Sequence, residues 1–148
     1  MTVTKATIKD LLIIFAIEIL TVPLVITYFK FIEPKKLAAV IAASTFVITG
    51  FIILRVTRKW PDAYASFVYW AVHIHIFVFS IPMLVARIAF WEKDFSEIKF
   101  LYFTGPQFHS FSEKGYLILM IGTLVDILVH AVKLKRLNQK KETTEKRL

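Results

Sequence analysis

Four long apolar segments, separated by short polar stretches, dominate the chain. They cover residues about 9–32, 37–57, 66–91 and 115–134. Each is close to the ~20 residues with which an α-helix crosses ~30 Å of hydrocarbon. Only helices and closed barrels satisfy the backbone within lipid, and these segments lack the strict alternation of barrel strands. The pattern predicts an all-α integral membrane protein, a four-transmembrane-helix antiparallel bundle.

The apolar pattern also divides the chain into a transmembrane domain, residues 1–134, and a basic cytoplasmic tail, residues 135–148. The tail is highly charged and shows no apolar periodicity, so we expect a frayed helix or disorder there. Lys5 precedes the first apolar segment and Lys9 stands at its start, as the basic residues of a signal peptide do. That segment is long, carries Glu18 and is not followed by a small-residue cleavage pattern, so we interpret it as a retained helix.

Flanking charge predicts the orientation of the four helices. Twelve Lys and Arg residues fall on the side of the N-terminus, the second connection and the tail, against six on the opposite side. Because cytoplasmic loops carry the excess of Lys and Arg, both termini are expected in the cytoplasm, in a bacterial-type inner or plasma membrane. The basic tail is then expected to contact anionic lipid headgroups.

The outer connection between the third and fourth segments is rich in aromatic residues. Phe95, Ile98 and Tyr102 are spaced to share one helical face, which predicts a short interfacial helix ended by Gly105 and Pro106. The alternative is an aromatic belt that anchors the loop at the headgroups.

Composition excludes several classes of function. The chain has no cysteine, so thiol nucleophiles, Cys-ligated zinc and iron–sulfur clusters are ruled out. The net charge of +8 is found at the ends of apolar segments rather than on one soluble face, which argues against nucleic acid as a partner. Glycine-rich phosphate loops and the GxSxG and HExxH motifs are absent from the sequence.

Polar residues inside the predicted third helix need an explanation, because a bilayer core disfavours them. His73 and His75 lie about 200° apart on a regular helix and face nearly opposite sides. His73 shares its side with a polar stripe, so we expect His73 to face the bundle interior and His75 to lie at an apolar helix contact. The stripe consists of Ser66, Tyr69, Ser80 and Arg87.

Candidates on the other helices fall at similar depths. Asp126 and His130 are four residues apart and share one helical face. At ~1.5 Å per residue, Glu18 and Asp126 lie within roughly 5 Å of the midplane, and His73 and His130 lie roughly 9 Å towards the cytoplasm. These four residues are therefore predicted to form one polar cluster that binds an ion or a proton. Arg87, roughly 12 Å to the outer side, is a secondary candidate with Tyr69 and Ser80.

Three functions fit such a cluster. The first is an accessory or scaffold subunit, not expected to be an enzyme, whose cluster fixes helix packing or partner binding in a homo-oligomer or a larger membrane complex. The second is a small proton- or cation-coupled transporter or channel using Glu18 and Asp126. The third is a membrane subunit that binds b-type haem or a divalent metal through His73 and His130. Under the first two hypotheses no cofactor is expected.

The second function has a partial parallel in known proteins. One acid near the midpoint of the first of four short helices, Glu18, resembles the small multidrug resistance transporters. The long aromatic outer loop and the four histidines do not match that family, so no family is assigned.

Overall fold

The computed structural model describes residues 5–60 and 66–145 and is nearly all helical over them. Its helices are α1 (Lys5–Phe31), α2 (Lys35–Thr57), α3 (Phe67–Ile74), α4 (Ile81–Ala89) and α5 (Gly105–Glu145). A π-helical turn, His75–Ser80, joins α3 to α4, so that Phe67–Ala89 is one continuous span. Four helices are thus long and apolar enough to cross a membrane, as the apolar pattern predicts.

Proline explains two of the helix boundaries. Pro34 stands at the N-cap of α2 in extended conformation, a position where its missing N–H removes no helical hydrogen bond. Pro82 falls in the first turn of α4, directly after the π-helical turn. Since Pro82 has no N–H to donate to a carbonyl in the preceding turn, the backbone there departs from regular α-helix.

Small residues bring the helices close together. α1 packs on α2 and α5, α2 also packs on the third span, and α3 packs on α5. The face of α2 that enters the bundle is built from Ala38, Ala39, Ala42 and Ala43, all buried. At Gly50 an added Cβ would collide with the fully buried side chain of Ile76. Large apolar side chains elsewhere point outward, as expected for helices that face hydrocarbon.

The loop before α5 differs from the predicted interfacial helix. Phe95–Glu97 forms one 3₁₀ turn, and β1 (Lys99–Phe100) pairs antiparallel with β2 (Phe103–Thr104). The predicted apolar face is not formed, because Ile98 is 5% exposed whereas Tyr102 is 95% exposed. Aromatic residues and threonine favour extended backbone over helix, which explains the hairpin. Gly105 is required at its base, since a Cβ there would clash with the backbone oxygen of Phe95.

α5 is longer than the apolar pattern predicts. It starts at Gly105 rather than near residue 115, and it continues without a break through the described part of the tail to Glu145. Its first turn is held by Gln107, whose Oε1 accepts hydrogen bonds from the backbone N–H and the hydroxyl of Thr104. The second connection, residues 61–65, and the tail residues Lys146 and Arg147 lie outside the described residues.

Candidate functional site

Glu18 is fully buried and ties α1 to α5. Its Oε1 accepts a hydrogen bond from the Thr123 hydroxyl at 3.0 Å, and its backbone oxygen accepts one from the Tyr116 hydroxyl at 2.9 Å. The second carboxyl oxygen, Oε2, has no hydrogen-bond partner among the described residues. Both bonds join α1 to α5 at the level of Glu18.

Asp126 ties α5 to the start of α3. Its Oδ2 accepts hydrogen bonds from the Ser66 hydroxyl at 3.1 Å and the Val68 backbone N–H at 3.4 Å. Ser66 is the N-cap of α3, but its own side chain makes no capping bond. A carboxylate on a neighbouring helix therefore supplies the acceptor that an N-terminal helix turn needs.

His73 and His130 each bond to their own helix. Nδ1 of His73 lies 2.6 Å from the Tyr69 carbonyl oxygen, and Nδ1 of His130 lies 2.6 Å from that of Asp126. His130 is buried, and its Nε2 has no partner among the described residues. His73 is half-buried and lies beside the ring of Tyr69 at a centroid distance of 4.3 Å.

The structure does not bring His73 and His130 together. Ser66 is level with Asp126; from that level His73 is seven residues along α3 in one direction and His130 four residues along α5 in the other. At 1.5 Å per residue they are separated by about 17 Å along the bundle. The prediction of equal depth is wrong because α5 begins ten residues early, at Gly105, and is displaced along the bundle.

That separation bears on cofactors. One haem iron or one metal ion cannot take both His73 and His130 as ligands at a separation of about 17 Å, since metal–nitrogen bonds are about 2 Å long. Among the described residues there is also no group of three or more His, Asp or Glu side chains placed to hold a metal ion.

His75, predicted to lie at an apolar helix contact, is the buried histidine of the third span. It is 3% exposed, and its ring centroid lies 5.1 Å from that of Tyr116 and 6.0 Å from that of Phe46. The interior face of α3 contains Val68 and Val72, which continue to His75 at ordinary helical spacing. The expectation that His73 faces the interior instead is therefore wrong.

The π-helical turn determines what lies on the same side as His75. A regular α-helix would rotate Ser80 well away from His75, but i→i+5 bonding brings residues five apart onto one side. Ser80 is accordingly buried on the His75 side, and both residues line the same cavity. No periodicity in the sequence marks this turn; the one available signal is Pro82 inside an otherwise helical segment.

The secondary candidates have separate environments. Arg87 stacks on Phe95, with its guanidinium carbon 3.4 Å from the ring centroid. Tyr69 is buried beside His73. A third interhelical contact was not predicted from the sequence: the indole N–H of Trp60 donates to Asp10 Oδ2 at 3.0 Å, which ties the end of α2 to α1. The signal for it is an amphipathic tryptophan directly after an apolar helix.

The fold and these contacts define a class, a helical membrane protein with polar contacts between its spans. Comparison with known proteins adds no narrower assignment: no family model, no curated protein and no solved structure matches the chain.

Proposed function

We propose that this chain is a non-catalytic accessory or scaffold subunit of a membrane assembly. One observation carries the proposal: the carboxylates of Asp10, Glu18 and Asp126 each accept a hydrogen bond from a different segment of the chain. Hydrogen bonds between membrane helices fix register and helix order, at about 0.6–2 kcal/mol each. Glu18 is fully buried and Asp10 and Asp126 are half-buried, and a role in helix packing accounts for all three bonds without a chemical step.

We further propose that the four spans are antiparallel and that both termini face the cytoplasm. Asp10 near the start of α1 bonds to Trp60 after the end of α2. Lys36 at the start of α2 donates to the backbone oxygen of Trp91, which follows α4. These contacts support alternating helix directions, and the excess of Lys and Arg supports the cytoplasmic side of the termini. The lipid bilayer and further subunits, identical or different, are the expected partners.

The two alternatives have less support. Proton- or cation-coupled transport through Glu18 and Asp126 needs a carboxylate accessible to water, whereas Glu18 is 0% exposed and Asp126 already accepts two hydrogen bonds. A haem or metal site needs His73 and His130 at one level, and they lie far apart along the bundle.

Reconstitution separates the proposal from transport. The purified chain is placed alone in proteoliposomes that hold a pH gradient, with Glu18→Gln as the variant and Thr27→Ala as the control. Thr27 is exposed and bonds only to its own helix, at the Pro23 oxygen. We expect the same proton leak from all three proteins. A proton flux of the wild type that Glu18→Gln abolishes and Thr27→Ala preserves would refute the scaffold proposal.

A second measurement tests assembly directly. We expect the chain in its native membrane to migrate on native gels as a complex larger than the purified chain alone. Asp126→Ala, which removes the tie to α3, should reduce that complex, and Thr27→Ala should not. A native species no larger than the purified chain would contradict the proposal.

A further inference from the structure

A cavity of about 560 Å³ lies between α1, α2, the third span and the first turns of α5. Most of its wall is apolar and includes Val25, Ala42, Met83 and Leu117. Its volume is within the ~300–1,000 Å³ typical of sites for small organic ligands. The carboxylates of Asp10 and Asp126 do not line it, so it is separate from the contacts at those two acids.

Two polar side chains at the buried end of the cavity have no hydrogen-bond partner. Nδ1 and Nε2 of His75 and Oγ of Ser80 are unpaired among the described residues, and both side chains are more than nine-tenths buried. Buried polar atoms in proteins are nearly always hydrogen-bonded, and leaving one unpaired is costly. His75 and Ser80 both line the cavity, so a molecule within it lies beside two side chains that can each donate and accept a hydrogen bond.

Other side chains of the same types satisfy themselves within their helices. Ser44 and Thr45 each donate to the carbonyl oxygen four residues earlier, at 2.9 Å. Nδ1 of His73 likewise lies 2.6 Å from such an oxygen. His75 and Ser80, the first and last residues of the π-helical turn, make no such bond. Their residue types therefore do not by themselves explain why these atoms are unpaired.

The other end of the cavity carries a cation. Arg87 lines it, and the same residue lines an adjoining cavity of about 190 Å³ whose other charged residues are Lys35, Lys36, Lys93 and one acid, Asp94. Among the described side chains no carboxylate lies within ion-pair distance of Arg87, although its guanidinium stacks on Phe95. One acid, Glu113, also lines the main cavity and is paired with His109 at 3.2 Å. The open guanidinium favours an anionic group at this end.

We propose that this cavity binds a lipophilic organic anion that carries a second, hydrogen-bonding polar group. The anionic group pairs with Arg87, the apolar body packs between α1, α2 and α4, and the second group bonds to Ser80 and His75. Ser80 and Arg87 are seven residues apart, roughly 10 Å along the helix, so the two polar groups stand at opposite ends of an elongated ligand. Its source is either a free acid or an anionic lipid.

Three ten-carbon probes separate the two polar contacts: 10-hydroxydecanoate, decanoate and decanol. Binding is measured by equilibrium dialysis of the labelled probes against the full chain in phosphatidylcholine nanodiscs, with empty nanodiscs as background. We expect 10-hydroxydecanoate to bind about three- to tenfold more tightly than decanoate, the gain of one hydrogen bond to a neutral partner. Decanol, which lacks the anionic group, should bind most weakly.

Variants assign each contact. Ser80→Ala should remove the advantage of 10-hydroxydecanoate over decanoate without lowering the thermal stability of the unliganded chain, because its hydroxyl makes no bond there. Arg87→Gln should weaken both acids and leave decanol unchanged. Ser44→Ala, which removes a hydroxyl bonded within α2, is the control and should keep the wild-type order of affinities.

Competition identifies the source of the anion. Displacement of labelled 10-hydroxydecanoate by nanodiscs that contain phosphatidylglycerol indicates a lipid headgroup, and no displacement indicates a free acid. Either result supports the site. It is overturned when none of the probes binds above empty nanodiscs, when the wild type binds the two acids equally, or when Ser80→Ala keeps the difference between them.

Discussion

Replacing Asp126 by alanine tests how much the contact between α5 and α3 stabilises the protein. The substitution removes the one acceptor shared by the Ser66 hydroxyl and the Val68 N–H. Ser66 and Val68 are both almost completely buried, so water cannot readily replace the lost oxygen. The first turn of α3 is then left with an unpaired N–H and the bundle with an unpaired hydroxyl.

The magnitude follows from these two bonds. Loss of a helix N-cap costs about 1 kcal/mol, and a hydrogen bond between membrane helices contributes about 0.6 kcal/mol and at most ~1.7. Together they predict that Asp126→Ala lowers the free energy of unfolding by about 2 kcal/mol. For a chain of this size that corresponds to a decrease in Tm of about 4–8 °C.

The assay is thermal unfolding of the purified chain in one fixed detergent. Asp126→Asn keeps a side-chain oxygen in place and should lose less stability than Asp126→Ala. Val125→Ala, at a half-exposed neighbouring position on α5, is the control for truncation. In the double variant with Ser66→Ala the decrease should be smaller than the two single decreases added together, because the variants share one bond. Strict additivity, or a Tm of Asp126→Ala equal to that of Val125→Ala, would refute the reasoning.

Two further substitutions test packing and the buried acid of α1. Gly50→Ala should lower the free energy of unfolding by about 1–3 kcal/mol because its Cβ meets buried Ile76. Gly115→Ala should lower it less, because the nearest atom to its Cβ, in the ring of Phe79, is 3.3 Å away. Equal effects of the two substitutions would contradict this account of the packing. Thr123→Val keeps the shape of the side chain but leaves Glu18 Oε1 without its donor, so it should cost about 1–3 kcal/mol in the same unfolding assay, whereas Thr123→Ser should stay near wild type. A stable Thr123→Val would show that the hydroxyl is not required.

The four spans were predictable because lipid imposes a simple rule on sequence. A span must be long, apolar and helical, and all four segments meet that condition without reference to one another. The buried small residues of α2, such as Ala38 and Ala42, were predictable for a similar reason, since close helix approach requires short side chains. These features depend on the local composition of one segment.

The candidate site was less predictable because it depends on relations between segments. Glu18 and Asp126 were identified as polar positions within the predicted spans, but their partners, Thr123 and Ser66, depend on how far α5 is displaced along the bundle. That displacement follows from the start of α5 at Gly105, within a polar and aromatic stretch that hydropathy alone does not recognise as helix. An error of ten residues in one helix start was enough to place His73 and His130 at the same depth.

The π-helical turn was the other source of error. Angles calculated at 100° per residue are correct up to the turn, and they fail beyond it, where Ser80 moves to the side of His75. Local backbone geometry of this kind is set by Pro82 together with packing against neighbouring helices. A sequence pattern can locate the proline but cannot determine which of the possible distortions the packing selects.

Polar groups within the bundle fall into two sets that differ in how they affect folding. The carboxylates of Glu18 and Asp126 have donors on other segments, so removing them is expected to destabilise the chain. His75 and Ser80 have none, so apolar residues of similar size at these positions are expected to stabilise it. Residues that conflict with the surrounding structure in this way are typical of functional sites. Because a contribution to stability does not explain why His75 and Ser80 are present, we attribute them to the binding of a ligand that bonds to them. A decrease in stability for Asp126→Ala and an increase for Ser80→Ala, measured in one assay, would distinguish the structural role from the ligand-binding role.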